Sequence, residues 1–349
     1  MGKLPTCSEY VAAIETPQLL KASILKNGHV VKRNETVIRY VGGFCVVFPY
    51  QTPKRKYAIR CWYANVGDAQ ERTHRIAQEL SKIHLPYFVG FDYIPDGIVT
   101  NEGLQPIVAM DWVEAYPLKE YIQLHITESG QLQLLANNFL LMVKDLHKYK
   151  LSHGDLQHGN ILVKDNGSIV LVDYDSMYVP ALEGFSDEIK GLEGYQHESR
   201  SANEKLTPKA DYFSELVIYT SLKTLAQMPQ LWDDLNMENT ETLLFSNNDI
   251  KSKGKSEIFR ILETNEELAF LSHALKDFMQ CASIEELLPL EEVLKSPIDS
   301  ISTKWVDSGY CPPSVVDYSA SISNISNSWN VSTAINGNIP NTESITKKW

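Results

Sequence analysis

The sequence predicts an α+β fold built from two unlike lobes, on three observations. Residues 36–62 alternate β-branched and aromatic runs with turn residues. The second half of the chain carries three- and four-residue apolar spacing. The 349 residues are 43% hydrophobic, which is ample for a core without staples. Strands come first with one helix among them and helices follow, an order that excludes a doubly wound sheet.

Taken in order, residues 1–28 lack a strong period, and a short helix is expected around Thr16–Leu25. Val37–Val41, Phe44–Phe48 and Tyr57–Trp62, separated by Gly42-Gly43 and by a Pro/Lys turn, read as a three-stranded antiparallel meander. Asp68–Lys82 places Ala69, Ile76 and Leu80 near one helical face. Two further strands are expected around Phe88–Ile94 and Ile107–Trp112. Beyond Pro117, Gln131–Lys148 carries Leu135, Phe139, Met142, Val143 and Leu146 on one helical stripe.

Ile161–Val163 and Ile169–Val172 flank Asp165-Asn166-Gly167, a hairpin-turn signal. Residues 176–208 lack periodicity and read as a long loop of the functional kind. Helices are expected again at Lys209–Leu225, Ser256–Leu262, Glu266–Cys281 and Glu285–Lys295. After about Ile298 the composition turns to Ser, Asn and Thr, and Ser314–Trp349 is expected to be weakly structured.

The formal charge of −12 argues against a nucleic-acid partner, and no apolar run reaches the length of a membrane span. Five scattered cysteines without a C-x-x-C pair suggest neither a disulfide framework nor a zinc cluster, so a cytoplasmic setting is expected. Met1–Thr6 matches the loose myristoylation pattern, with Cys7 as a second acylation candidate. Nothing basic follows to supply a second membrane signal, and an ordinary terminus is the reading retained.

Chemistry concentrates in His153-Gly154-Asp155-Leu156-Gln157-His158-Gly159-Asn160, followed after the hairpin by Asp173-Tyr174-Asp175. Asp155 and Asn160 hold a D-x-x-x-x-N relation, and Asp173 lies eighteen residues beyond Asp155. An isolated Asp often only closes a turn, but three polar residues at this spacing beside apolar strands point elsewhere. The chain resembles the protein-kinase-like superfamily, and its H-G-D-L-Q-H-G-N stretch is most similar to prokaryotic serine/threonine-kinase-like proteins.

That resemblance covers roughly residues 36–290 and implies a bilobed fold with nucleotide between the lobes. The N-lobe would be a small antiparallel β-sheet with one helix, and the C-lobe larger and mainly helical. Expected boundaries are an N-terminal extension over 1–35, the N-lobe over 36–113, the C-lobe over 114–298 and a tail over 299–349. By resemblance Asp155 would orient or deprotonate the acceptor hydroxyl. Asn160 and Asp173 would bind Mg²⁺, with Asp175 as a further metal candidate. Gln157 stands where many such kinases place a phosphate-neutralising Lys, and Gly154 where they place an Arg that reads loop phosphorylation.

Toward the N-terminus, Tyr57-Ala58-Ile59-Arg60 occupies the place of V-A-I-K, so Arg60 stands for the phosphate-binding lysine. Glu79, nineteen residues on, is the expected partner glutamate, with Glu71 as a second candidate. Gly42 and Gly43 form a reduced glycine loop. Met110 falls at the gatekeeper position, with Asp111 and Val113 along the hinge facing adenine. Asp211 resembles the aspartate that anchors the catalytic loop.

The activity implied is ATP- and Mg²⁺-dependent transfer to Ser or Thr hydroxyls of an unidentified protein substrate. A pseudokinase that binds nucleotide or a partner is the alternative suggested by Arg60, Gln157 and the incomplete glycine loop. A small-molecule phosphotransferase of the aminoglycoside- or choline-kinase type is the other.

Overall fold

A computed structural model describes residues 3–64 and 67–295. The tail expected over 299–349, and Met1 and Gly2 of the acylation pattern, lie outside the described residues.

The first helix, α1 (Cys7–Ile14), starts where a capping box allows it. The Thr6 hydroxyl accepts the Glu9 N–H at 3.3 Å, and the Glu9 carboxylate accepts the Thr6 N–H at 2.7 Å. The helix expected around Thr16–Leu25 is absent. Pro17 and the extended backbone of Leu20 and Ala22 leave only single 3₁₀ turns there. The Thr6-x-x-Glu9 spacing was the overlooked signal.

Strands β1 (His29–Val30), β2 (Lys32–Arg33), β3 (Thr36–Val37), β4 (Tyr40–Val41), β5 (Cys45–Gln51) and β6 (Lys56–Trp62) follow. The strand expected over Val37–Val41 is split. Asn34 and Glu35, both at positive φ, turn β2 back onto β3, and β4 pairs separately with β5. After α2 (Ala69–Leu80) come β7 (Phe91–Thr100) and β8 (Gly103–Asp111). The antiparallel order is β1-β5-β6-β8-β7, with β4 also on β5. The segment expected as an extension is therefore built into this lobe: β1 lies on β5, and α1 packs on β7 with the Tyr10 hydroxyl donating to the Trp62 carbonyl at 3.0 Å.

Alternation along β6 sets the two faces of the sheet. Ile59 and Cys61 join the core beneath α1, while Ala58 and Trp62 join a second core that runs through α2 into the other lobe. Arg60 shares the register of Ala58 and Trp62 and so enters the interlobe side.

The C-terminal lobe begins with β9 (Tyr116–Pro117), α3 (Leu118–Leu124) and α4 (Ser129–Lys148). The hairpin β10 (Ile161–Val163) and β11 (Ile169–Leu171) adds to β9. Then come α5 (Tyr212–Gln227), α6 (Leu231–Asp234), α7 (Asn247–Lys251), α8 (Glu257–Leu262), α9 (Glu266–Phe278) and α10 (Leu290–Val293). Buried from Phe213 to Ala226, α5 is the axis on which α4 and α9 pack. The helix expected over Glu285–Lys295 is reduced to α10, because Pro289 stops any continuous helix from the 3₁₀ turn at Ile284–Glu286.

Residues 176–208 form the expected long loop, with only 3₁₀ turns at Pro180–Leu182 and Glu198–Ala202. A buried ion pair holds it. Arg200 Nε meets Asp187 Oδ2 at 2.7 Å, while Nη1 reaches Gln196 Oε1 at 2.9 Å and the Ala210 carbonyl at 3.2 Å.

Candidate active site

The polar stretch His153–Asn160 bridges α4 and β10, and its backbone is fixed from α5. Asp211, buried just before α5, accepts the Gly154 N–H at 2.9 Å on one oxygen and the His153 N–H on the other. His153 Nε2 in turn meets the Val172 carbonyl at 2.9 Å, tying this loop to the residue before Asp173. Gly154 stands at φ +78, and a Cβ there would lie 2.0 Å from the Ser176 carbonyl oxygen. Only glycine suits that position, which gives the missing Arg a steric cause.

Asp155 is gripped on both oxygens. Oδ2 accepts the Asn160 amide at 3.0 Å, and Oδ1 accepts the Leu192 backbone N–H at 2.9 Å. Burial raises its pKa above the ordinary carboxylate value, with His153 and these hydrogen bonds opposing. Asn160 also donates to the Asp155 carbonyl at 2.8 Å, so its NH₂ is committed while its side-chain oxygen accepts no bond among the described residues. The Val172 N–H to Asn160 carbonyl bond, 3.0 Å, brings Asp173 alongside.

Asp173 has φ 65, a left-handed conformation that Asp tolerates better than most residues. The residue opens to the cleft and accepts no hydrogen bond among the described residues. Poor solvation there, and after it the charge of Asp175, push its pKa up to about 6 against the pull of Arg60 and His153. Tyr174 locks the segment. Its hydroxyl donates to the Leu171 carbonyl at 2.7 Å and accepts the Val89 N–H at 3.0 Å, and its ring packs on Phe88, Phe91 and His153.

Arg60 lies in this cleft but meets Asp175, not the expected glutamate. The guanidinium is buried, within 5.5 Å of the Phe44 ring centroid and 5.7 Å of that of Trp62. Glu79 pairs instead with Lys82 at 3.1 Å, and Glu71 with Arg75 at 2.7 Å. The buried face of α2 consists of Arg72, Thr73, Ile76, Ala77 and Leu80; Glu71 points away from it, and Glu79 lies at its edge beside Arg72 and Ile76 but spends its carboxylate on Lys82. Asp175 is thereby committed to a guanidinium, unlike the open Asp173. Among the described residues no three His, Cys, Asp or Glu side chains cluster as a metal site. What the cleft offers a hard cation is oxygen chemistry from two residues, the open Asp173 carboxylate and the uncommitted Asn160 oxygen, and that suits Mg²⁺.

Gln157 serves the loop, its Oε1 accepting the Gly159 N–H at 2.6 Å. His158 is buried against Tyr195, Nδ1 to hydroxyl 2.8 Å. At the β4–β5 turn the Gly42 N–H donates to the Cys45 carbonyl at 2.9 Å, and the Tyr63 hydroxyl donates to the Gly42 carbonyl. Beside Gly43 a Cβ would meet nothing within 4 Å. Met110 is buried in the interlobe core. Asp111 turns to Arg55, 3.0 Å away. The Val113 N–H pairs with nothing among the described residues, which leaves a hinge donor for a base edge. Leu192 is the contributor that the sequence did not single out. The signal present was Gly191, at φ +78, whose Cβ would lie 2.7 Å from Asp155 Oδ1.

Compared with known families, residues 68–182 match the model of the ABC1 atypical kinase-like domain. The matched span opens just before α2 and contains Asp155, Asn160, Asp173 and Asp175. No curated protein matches the chain. The ABC1 atypical kinase-like domain lies in the protein-kinase-like superfamily, and the described residues form a bilobed α+β fold consistent with it.

Proposed function

We propose that the chain transfers the terminal phosphoryl group of ATP to a hydroxyl, that of a Ser or Thr on a protein. One observation carries the reading: Asp155, Asn160 and Asp173 are held together by the Asp155–Asn160 and Val172–Asn160 hydrogen bonds on a loop anchored by Asp211.

Asn160 and Asp173 would hold Mg²⁺, which supplies positive charge to the phosphates when bound. Asp155 orients the acceptor hydroxyl and takes its proton as the oxygen–phosphorus bond forms and the bond to the ADP oxygen breaks. Its raised pKa makes it a stronger base than an exposed aspartate. Arg60 brings a fixed positive charge to the cleft from the β6 side, and the Val113 N–H offers a donor to adenine.

The test is incubation of the full-length chain with Mg²⁺, γ-labelled ATP and a generic protein acceptor. Transfer that falls about 10²- to 10⁴-fold in Asp155→Ala is the expected result. A second reading, a pseudokinase that binds nucleotide without turnover, is favoured by the Arg60–Asp175 pair, which occupies the phosphate-side cation. It prevails if Mg·ATP raises the melting temperature and no phosphate moves.

A further inference from the structure

A cavity of about 440 Å³ opens at the hinge between the lobes, lined there by Val113 but by none of Arg60, Asp155, Asn160 or Asp173. Its walls come from both lobes: Arg55 and Lys56 where the chain enters β6, Asp111, Trp112 and Glu114 on the hinge, and Lys164 at the end of β10. Three cations thus face two carboxylates. Asp111 is engaged by Arg55 at 3.0 Å and pressed against Gly90, where a Cβ would lie 2.5 Å from its Oδ2.

The other two cations lack such partners. Lys56 Nζ lies 3.7 Å over the Trp112 ring centroid, and neither it nor Lys164 has a carboxylate at ion-pair distance among the described residues. Burial draws the Lys56 pKa down, with Glu114 on the exposed rim pulling it back. A partly desolvated ammonium resting on an indole keeps its N–H donors for an anion, to which it can add charge-assisted bonds beside the ring contact. The volume is that of a small-molecule site.

We propose that this cavity binds a small anion carrying at least two negative charges, a phosphoryl compound or a polycarboxylate, held between Lys56 of one lobe and Lys164 of the other. Such a ligand touches both lobes and the hinge that joins them, so it binds most tightly at one interlobe angle and favours that angle. The site shares the hinge residue Val113 with the proposed nucleotide cleft but none of that cleft's phosphate- or metal-side residues.

The experiment follows the melting temperature of the full-length chain against sodium pyrophosphate and against citrate at constant ionic strength, in the wild type, Lys164→Ala and Arg60→Gln. Lys164 is exposed, so its truncation leaves the fold intact. The expected result is a saturable rise with at least one anion, moved at least tenfold to higher concentration by Lys164→Ala and kept in Arg60→Gln. Pyrophosphate alone identifies phosphoryl chemistry, and citrate alone identifies carboxylates. The proposal is overturned if neither anion gives a saturable rise, if Lys164→Ala responds like the wild type, or if the response disappears in Arg60→Gln and survives in Lys164→Ala.

Discussion

The guanidinium of Arg60 is paired with the carboxylate of Asp175, 115 residues further along the chain. Arg60 is only 4% exposed, so Asp175 is what allows its charge to lie in the cleft. Asp175→Asn should therefore cost about 3 kcal/mol in equilibrium denaturation without nucleotide, because it leaves a buried cation short of its partner. If phosphates can take over the guanidinium, a saturating nonhydrolysable ATP analogue with Mg²⁺ will narrow the gap between variant and wild type. An unchanged gap would mean that Arg60 does not reach them.

Gly154 shows that a departure from the kinase pattern can be steric. Gly154→Arg restores the residue that many kinases carry there, yet its Cβ would overlap the Ser176 carbonyl, and its φ is left-handed. The expected outcome is a loss of at least about 2 kcal/mol in chemical denaturation, with no gain of response to loop phosphorylation. A variant as stable as the wild type would show that the two backbone segments can separate freely.

The architecture was legible because apolar periodicity reports which face of an element is buried. Asp68–Lys82, Gln131–Lys148 and the β10–β11 hairpin all appear within a few residues of expectation. Asp155 and Asn160 share one loop, Asp173 follows the β10–β11 hairpin and Asp211 precedes α5, and hydrogen bonds bring these segments together. What spacing could not show is partner choice across the cleft. Glu79 has the expected separation from Arg60 but pairs with Lys82 on its own helix, while Arg60 meets Asp175 across the cleft. The grip of Leu192 on Asp155 runs through a backbone N–H, which no side-chain pattern encodes. Arg200 and Asp187 lie in a stretch without periodicity, where burial leaves no sequence trace.

His147 on α4 lies between Glu215 of α5 and Glu291 of α10, at 2.9 and 2.8 Å. Burial opposes its charge, but the two carboxylates outweigh it and push its pKa up to about 10. A histidine raised in the folded state contributes stability that is complete below its unfolded value of about 6.5 and is lost as pH rises toward 10. His147→Ala should cost more at pH 6.5 than at pH 10, because only the charged imidazole gains from Glu215 and Glu291. Urea denaturation at the two values checks this. A pH-independent difference would mean that the histidine is neutral in the fold.

Asp211 and Asp155 can be separated by experiment, because one holds the loop and the other is the proposed base. Both oxygens of Asp211 are used on the backbone N–H groups of His153 and Gly154, and Asp211→Asn sets an NH₂ against one of those donors. A charge-assisted bond is worth about 1.5–3 kcal/mol, so a loss of about 2 kcal/mol is expected, with faster amide exchange at His153 and Gly154. Asp155→Asn keeps an oxygen for the Leu192 N–H and sets its NH₂ only against that of Asn160, away from Asp211, so it should leave those two amides protected while stopping phosphoryl transfer. Equal deprotection in both variants would show that Asp155 itself holds the loop in shape, and loss of transfer in Asp155→Asn could then no longer be read as loss of a base.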